Sequence, residues 1–249
     1  MAIMETIKIP INISISMTTI AITFYTVIEL MMFLSDPHYK LPITPRGNFW
    51  VNASLSLFIN QLLLSAFILQ HTILALPSVK SWFSTLKIAV IQRSIYVITT
   101  AIALQLVIKY WQTIPEFVLW SINTNVRMYW WSFLLLHILA WTVIYVGTIC
   151  MDINELLGVK QIYYNIRKLP DPCEYKSRDL KRLYLHMRHP SFLGFLVIFW
   201  AVPCMSLDRL LLASVLSAYM YLAWNTDEGD HRYQKMQTER KFYELNYLK

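Results

Sequence analysis

The chain has 249 residues, of which 56% are hydrophobic and only 15% charged, and its mean hydropathy is +0.43. A soluble domain usually carries about 25% charged residues, so this composition excludes an ordinary soluble enzyme and describes a polytopic membrane protein. The formal net charge of +7 informs less by its size than by where the basic residues fall.

Several apolar runs reach the roughly 18–20 residues a helix needs to cross a bilayer. The first predicted span covers about Ile11 to Leu34, and a turn-rich loop around Asp36, Pro37 and Pro42 to Asn48 follows it. One lysine and no small-residue cleavage site precede the run, which reads as a retained span rather than a leader. The second span, Phe49 to Leu76, ends at Pro77 and carries Asn60, Gln61 and the pair Gln70-His71. Lys80 and Lys87 lie in the next connection. The third span, Ile88 to Trp111, holds Gln92-Arg93-Ser94 near its start, and Pro115 breaks it. The fourth covers Met128 to Met151. The sequons at Asn12 and Asn52 fall at or inside spans, so neither is expected to carry a glycan.

From Asp152 to Pro190 the chain turns polar. Leu156, Leu157, Val159, Ile162 and Tyr163 predict a short amphipathic helix at the membrane surface, and Pro170-Asp171-Pro172 interrupts it. Ser191 to Trp224 is apolar again, with Pro203 and Ser206-Leu207-Asp208 near its middle. One straight helix of this length would be about 51 Å, against a hydrocarbon core of about 30 Å. A hairpin of two crossings of about 16 residues is therefore predicted, with Ser206 as an N-cap. The tail from Asn225 to Lys249 reads as a surface helix.

The expected architecture is thus all-α, one transmembrane domain over residues 1–249 with six spans. The first two lie within 11–76, the third and fourth within 88–151, and the hairpin within 152–249. Six spans place seventeen Lys and Arg residues on the side of both termini and five on the other. By the positive-inside rule the richer side faces the cytosol or nucleoplasm.

Arg188-His189-Pro190 stands where the basic segment turns into the hairpin. Proline is best tolerated at the first helical position, so Pro190 marks a helix start with Arg188 and His189 at its mouth. Outward-pointing amides there favour an anionic group. The tripeptide alone better suits a juxtamembrane charge beside an ordinary helix starter. The predicted topology, however, puts His71, Arg93, Arg188-His189 and the acidic run Asp227-Glu228-Gly229-Asp230 at one membrane face. His71 or Arg93 alone could be a snorkelling or locally satisfied side chain; four such clusters at one face predict a shared pocket, since ionisable groups within spans usually face a cavity or a partner. Donors for a carboxylate beside acids for a cation suit a zwitterion with the pattern of S-adenosylmethionine. The acids also suit a solvated first helical turn. Five glycines and no phosphate loop exclude a Rossmann domain, and no HExxH or GxSxG occurs. Cys150, Cys173 and Cys204 lie far apart and read as free thiols, with no metal-binding spacing.

Gln70-His71, Gln92-Arg93-Ser94-Ile95-Tyr96 and Ala101 to Leu106 resemble segments of the nurim family of multi-pass inner nuclear membrane proteins. So do Glu155 to Tyr164 and Asp208 to Ala213. The resemblance covers about residues 60–235. That family in turn resembles the NnrU-type and isoprenylcysteine carboxyl methyltransferase-like membrane enzymes. It implies an inner nuclear membrane address, with the endoplasmic reticulum as alternative, and S-adenosylmethionine at Arg188, His189, Pro190, Gly194, Glu228, Asp230 and Gln161. Gln70, His71, Gln92 and Arg93 are further pocket candidates. Asn225 and Gly229 stand where the enzymes carry basic residues. Two functions follow as expectations: an organising protein whose basic face meets lamina, chromatin or anionic lipid, or a methyltransferase acting on a small thiol or lipid-linked substrate. A transporter is weaker, because no interrupted helix pair is evident.

Overall fold

The computed structural model describes residues 2–36, 49–175 and 191–223, and in the tail the helical positions Glu228, Arg232, Lys235, Met236, Glu239 and Tyr243. Four helices are long and apolar enough to span a membrane: Ile9–Ser35, Trp50–Ala75, Ala89–Tyr110 and Arg127–Ile149. They coincide with the four predicted spans to within a few residues. The parent helices are α1 (Ala2–Ser35), α2 (Phe49–Ala75), α4 (Gln92–Tyr110) and α5 (Arg127–Cys150), with a short α3 (Pro77–Thr85) between α2 and α4. Two small helices, α6 (Ile153–Leu156) and α7 (Val159–Ile166), follow α5. The chain closes with α8 (Phe192–Trp200) and α9 (Leu207–Ala223).

The surface of this bundle is its apolar part. Phe24, Phe58, Leu139 and Ile149 are all more than half exposed, whereas Thr19, Asn60 and Ser94 are fully buried. In water that distribution would be unstable; in lipid it is the expected one, because only the interior offers polar partners. The hydrogen bonds between helices supply them. Gln105 Nε2 donates to Thr26 Oγ1 across α4 and α1 at 2.7 Å. Gln70 Nε2 donates to Thr99 Oγ1 across α2 and α4 at 3.0 Å. The Trp141 indole donates to Ser35 Oγ at 2.9 Å. Each such bond contributes roughly 0.6 kcal/mol, up to ~1.7, so they select the register more than they supply the stability. Close packing does the latter: α4 lies against α1 and α2, α8 lies against α5 and α9, and α9 returns to α2. The buried core runs through Leu64, Val107, Trp111, Ile144, Ile198, Phe199 and Leu212.

The ends of the elements follow from identifiable causes. Leu76 is extended (ψ 141°), as a residue before proline must be, and Pro77 then starts α3. The third span stops at Tyr110, short of Pro115. Its exit is held by Asn60, which donates to the Gln112 carbonyl (2.7 Å) and accepts from the Gln112 amide (2.8 Å). The predicted amphipathic helix is two helices, because Gly158 between them adopts φ +82°.

The hairpin differs from its prediction. In place of two equal crossings joined by a tight turn, the described residues form a nine-residue α8, an extended connection and a seventeen-residue α9. Cys204–Ser206 (β2) pairs antiparallel with Val118–Ser121 (β1) of the α4–α5 connection. Trp120 Nε1 donates to the Val202 carbonyl and the Ile122 amide to the Pro203 carbonyl, at 3.1 and 2.8 Å. Ser206 ends that strand, paired with Val118, and directly precedes Leu207, the first residue of α9, so it stands at the predicted N-cap position. The connection is longer than a turn because its backbone has a partner outside the hairpin. The tail positions described are helical and exposed, as a surface helix requires.

Candidate functional site

The polar residues of the bundle gather at its two ends. At one end, the C-terminal turn of α2 and the N-terminal turns of α4 meet α6, α7 and the far end of α9. Residues three or four apart on a helix share a face, and Arg93, Tyr96, Thr99 and Thr100 form such a stripe on α4. Tyr96 Oη lies 2.9 Å from His71 Nε2, and Thr100 Oγ1 3.4 Å from His71 Nδ1. Gln70 Nε2 completes the link to Thr99. Phe67 stacks on the His71 ring at 5.8 Å, and Tyr219 of α9 meets it edge-on at 6.2 Å while sharing a hydrogen bond with Thr72 at 3.2 Å. His71 thus sits in an aromatic surround drawn from α2, α4 and α9.

Arg93 extends the cluster toward the membrane surface. Its guanidinium lies 5.2 Å from the Tyr96 ring centroid, a cation–π contact, and its Nε donates to the Leu156 carbonyl at 2.8 Å. Ser94 Oγ donates to the Leu157 carbonyl at 3.3 Å. The α6–α7 junction is in this way seated on the start of α4, and Gly158 permits it. A β-carbon there would stand 2.6 Å from Ser94 Oγ and 2.7 Å from the Ser94 amide nitrogen. Gln161 Nε2 reaches the Glu155 carbonyl at 3.3 Å. Two amide oxygens, Gln70 Oε1 in this cluster and Gln161 Oε1 on α7, are buried without a hydrogen-bond partner among the described residues. A buried unsatisfied acceptor costs roughly 1–3 kcal/mol, so both are positions where a donor would be stabilised.

Asp152, Lys160 and Glu155 edge this site outside the spans. Asp152 adopts φ +60° at the end of α5, and Lys160 Nζ approaches its Oδ2 at 2.6 Å and Glu155 Oε2 at 3.9 Å. The hydrogen bond from Lys160 holds the Asp152 carboxyl below its ordinary range, and the same bond raises Lys160. A depressed folded-state pKa contributes stability that is present above the ordinary carboxylate range and lost as pH falls through the folded value. Both side chains are about one-third exposed, so the effect is under about 1 kcal/mol. We expect the melting temperature in detergent to fall between about pH 5 and pH 3, and to fall less in Asp152→Asn. Equal acid sensitivity in the variant would mean that this pair contributes nothing.

Of the residues selected from sequence, His71 and Arg93 are brought together through Tyr96, and Gln70 bonds to Thr99 beside them; Gln161, on α7, bonds to the Glu155 carbonyl. Gln92 is the first residue of α4. Gly194 lies in the crossing of α8 with α5, where a β-carbon would meet Ile144 Cγ1 at 2.6 Å and the Ala140 carbonyl at 3.0 Å. Its immediate role is close helix approach. Glu228 is helical and exposed. Arg188, His189, Pro190 and Asp230 lie outside the described residues. Sequence reading passed over Tyr96, Thr99, Thr100 and Tyr219. The first three follow Arg93 at helical spacing and were accessible to that argument, whereas Tyr219 needed the packing of α9. Among the described residues, no group of His, Cys, Asp and Glu could hold a metal ion, and Cys204 is a free thiol.

A lipid-facing helical bundle with buried polar links between its spans and a polar cluster at one end defines a polytopic membrane protein. Comparison with known proteins narrows that class. The chain is 40% identical over 242 residues to the nurim homolog of Drosophila pseudoobscura pseudoobscura, covering 92% of this chain and 94% of that one. It is 39% identical over 242 residues to the nurim homolog of Drosophila melanogaster, with the same coverage. To bovine nurim it is 41% identical over 187 residues, covering 74% of this chain and 71% of that one. The chain belongs to the nurim family. No family model matches it, and no solved structure does.

Proposed function

We propose that this protein is a six-span resident of the inner nuclear membrane, built on a methyltransferase-like scaffold, that binds S-adenosylmethionine or its demethylated product at its cytosolic or nucleoplasmic face. The observation that carries this reading is the cluster of Gln70, His71, Arg93 and Tyr96, with two buried acceptors, Gln70 Oε1 within it and Gln161 Oε1 on α7, that have no hydrogen-bond partner among the described residues. The donor set fits the group in part: Gln70 Oε1 and Gln161 Oε1 suit an ammonium or an exocyclic amine, and the aromatic surround of His71 suits a cation or a flat ring. In this reading Arg188 and His189 receive the carboxylate ahead of α8, which begins at Phe192 with Ser191 as its N-cap rather than at Pro190. Glu228 and Asp230 serve the cationic end, and Gly194 keeps α8 close against α5. When bound, the cofactor supplies an electrophilic methyl group. The chain's own part is to orient it and exclude water. A methyl acceptor of the small thiol or lipid-linked class, reached from the bilayer, is the active form of the same reading.

Calorimetry on the purified protein with S-adenosylmethionine and S-adenosylhomocysteine tests it. A charge-assisted hydrogen bond contributes on the order of 1.5–3 kcal/mol, so Arg188→Ala should weaken binding roughly tenfold to a hundredfold. Lys235→Ala, at an exposed tail position, should change little. No heat of binding up to about millimolar ligand would refute the cofactor reading. What would then stand is an organising role, in which the basic face contacts lamina, chromatin or anionic lipid; exposed Lys80, Arg167 and Lys168 belong to that face.

Address and topology have their own tests. Tagged protein should concentrate at the nuclear rim and stay inaccessible to antibody after selective plasma-membrane permeabilisation; uniform reticular staining opposes the inner nuclear address. A glycan acceptor site inserted at the Asn123–Asn125 turn should be modified, and one between Lys168 and Ser177 should not. The reverse pattern overturns the orientation.

A further inference from the structure

The outer face of α2 is apolar, with Phe58 and Leu62 both more than half exposed, yet it also carries the exposed Gln61. Hydroxyls on the outer face of α5 satisfy themselves: Ser132 and Thr142 each donate to the carbonyl four residues back, at 2.9 and 2.8 Å. A carboxamide has more to satisfy, with two N–H donors and an oxygen bearing two lone pairs. Asn60, one position earlier and turned inward, uses its carboxamide as both donor and acceptor on the Gln112 backbone. Gln61 has a single side-chain bond among the described residues, from Nε2 to Ser65 Oγ at 3.2 Å, which leaves one N–H and the whole of Oε1 over. Depth makes this matter. At 1.5 Å per residue the span Trp50–Ala75 is about 38 Å long, and a hydrocarbon core of about 30 Å set anywhere along it leaves Gln61 at least ~9 Å inside. Lipid at that depth offers no hydrogen bond, and a glutamine is too short to reach the surface as a lysine or arginine does.

We propose that the face of α2 carrying Ser54, Phe58, Gln61 and Ser65 is the seam of a homodimer, in which the Gln61 carboxamides of two copies bond to each other. Two copies inserted in the same orientation are related by a two-fold axis along the membrane normal, so a residue at that axis meets its own counterpart at its own depth. A charged side chain would there meet a like charge. A carboxamide is donor and acceptor at once, so two of them pair reciprocally and use the groups that Ser65 leaves over. The spacing agrees: positions 54, 58, 61 and 65 alternate steps of four and three, the repeat of a two-helix seam. Two of the four are serines, small enough for close helix approach in lipid. The seam lies on the outside of the bundle and does not depend on cofactor binding at the cluster around His71 and Arg93.

The test is energy transfer between donor- and acceptor-labelled copies of the full chain in phosphatidylcholine vesicles, over a range of protein-to-lipid ratios. Transfer should rise above random proximity and saturate with density. Interhelical hydrogen bonds of this kind are worth about 1–2 kcal/mol in model spans, so Gln61→Leu should weaken association roughly fivefold to thirtyfold. Gln61→Asn keeps a carboxamide on a shorter arm and should fall between the two. Leu139→Ala, at an exposed position of α5, should associate as wild type does. Because Gln61 bonds only to Ser65 on its own helix, Gln61→Leu should leave the melting temperature in dilute detergent unchanged, which separates lost association from lost fold. Three results would each overturn the proposal: wild-type transfer no higher than random proximity at every density, undiminished association of Gln61→Leu, or equal weakening by Leu139→Ala. The first would assign Gln61 to a different membrane partner. A lowered melting temperature of Gln61→Leu would also overturn it, by showing that Gln61 serves the single chain.

Discussion

Gly158→Ala should lower the melting temperature of the detergent-solubilised protein by roughly 6–12 °C. Gly158 has φ +82°, a region that costs a residue with a β-carbon roughly 1–2 kcal/mol. The new methyl would also stand 2.7 Å from the Ser94 amide nitrogen, a backbone atom in the first turn of α4. Backbone cannot move aside as a side chain can, and overpacking of this kind costs roughly 1–3 kcal/mol. The sum is about 3 kcal/mol, at roughly 2–4 °C per kcal/mol for a chain of this size. The damage should be local as well. Lifting the α6–α7 junction breaks the bonds from Arg93 to Leu156 and from Ser94 to Leu157, so protease should cut between residues 152 and 168 before it cuts elsewhere. Ser94→Ala in the same chain removes the hydroxyl but not the amide, and should restore little. A melting temperature within about 2 °C of wild type would show that the junction is not seated on α4 as described.

Asp208→Ala should be comparably damaging, by about 3 kcal/mol. Asp208 is almost completely buried at the start of α9, yet its carboxylate caps nothing in its own helix. It accepts from the Trp111 indole and the Ile114 amide, residues that leave α4. Truncation leaves two buried donors unsatisfied, each costing roughly 1–3 kcal/mol, and takes a negative charge from beside Arg209. Asp208→Asn keeps one acceptor oxygen but turns an amide N–H toward the other donor, so it should cost about half as much. Thermal unfolding of the three proteins should therefore order as wild type, Asn, Ala. An Asn variant as stable as wild type would mean that one of the two bonds contributes nothing. Trp111 emission should shift to longer wavelength in the Ala variant, because the indole loses both its acceptor and its dry surroundings.

Residues 94 and 158, and 111 and 208, belong to distant parts of the chain, and that separates what was legible in the sequence from what was not. The four long spans were legible because an unbroken apolar run of twenty or so residues is a local property. In lipid, such a run satisfies its backbone only as a helix, whatever surrounds it. The side of the bundle on which His71 and Arg93 meet was legible for the same reason, since counting spans fixes which ends share a face. Membership in the nurim family was also carried by local strings such as Gln92 to Tyr96.

The partners of these residues were not legible. That Tyr96 joins Arg93 to His71 could be inferred from spacing on one helix; that Tyr219 completes the surround depends on how α9 packs. The ribbon of β1 with β2 has no sequence signature: Val118 to Ser121 is four residues in a loop, and Cys204 to Ser206 reads as part of an apolar run. It exists because the connection between α8 and α9 must satisfy its backbone groups and finds an exposed partner edge beside it. In the same way Ser206 reads locally as a helix cap, and Gly194 as part of a ligand motif. Packing adds to each reading: Ser206, next to the start of α9, also pairs with Val118 in a strand, and Gly194 lies in the crossing of α5 and α8, where only a hydrogen fits against Ile144. Apolar composition alone set the spans and their order, because each helix meets the same lipid. Which polar side chains become a site was decided by tertiary structure, because a buried polar group is stable only beside the particular atom that pairs with it.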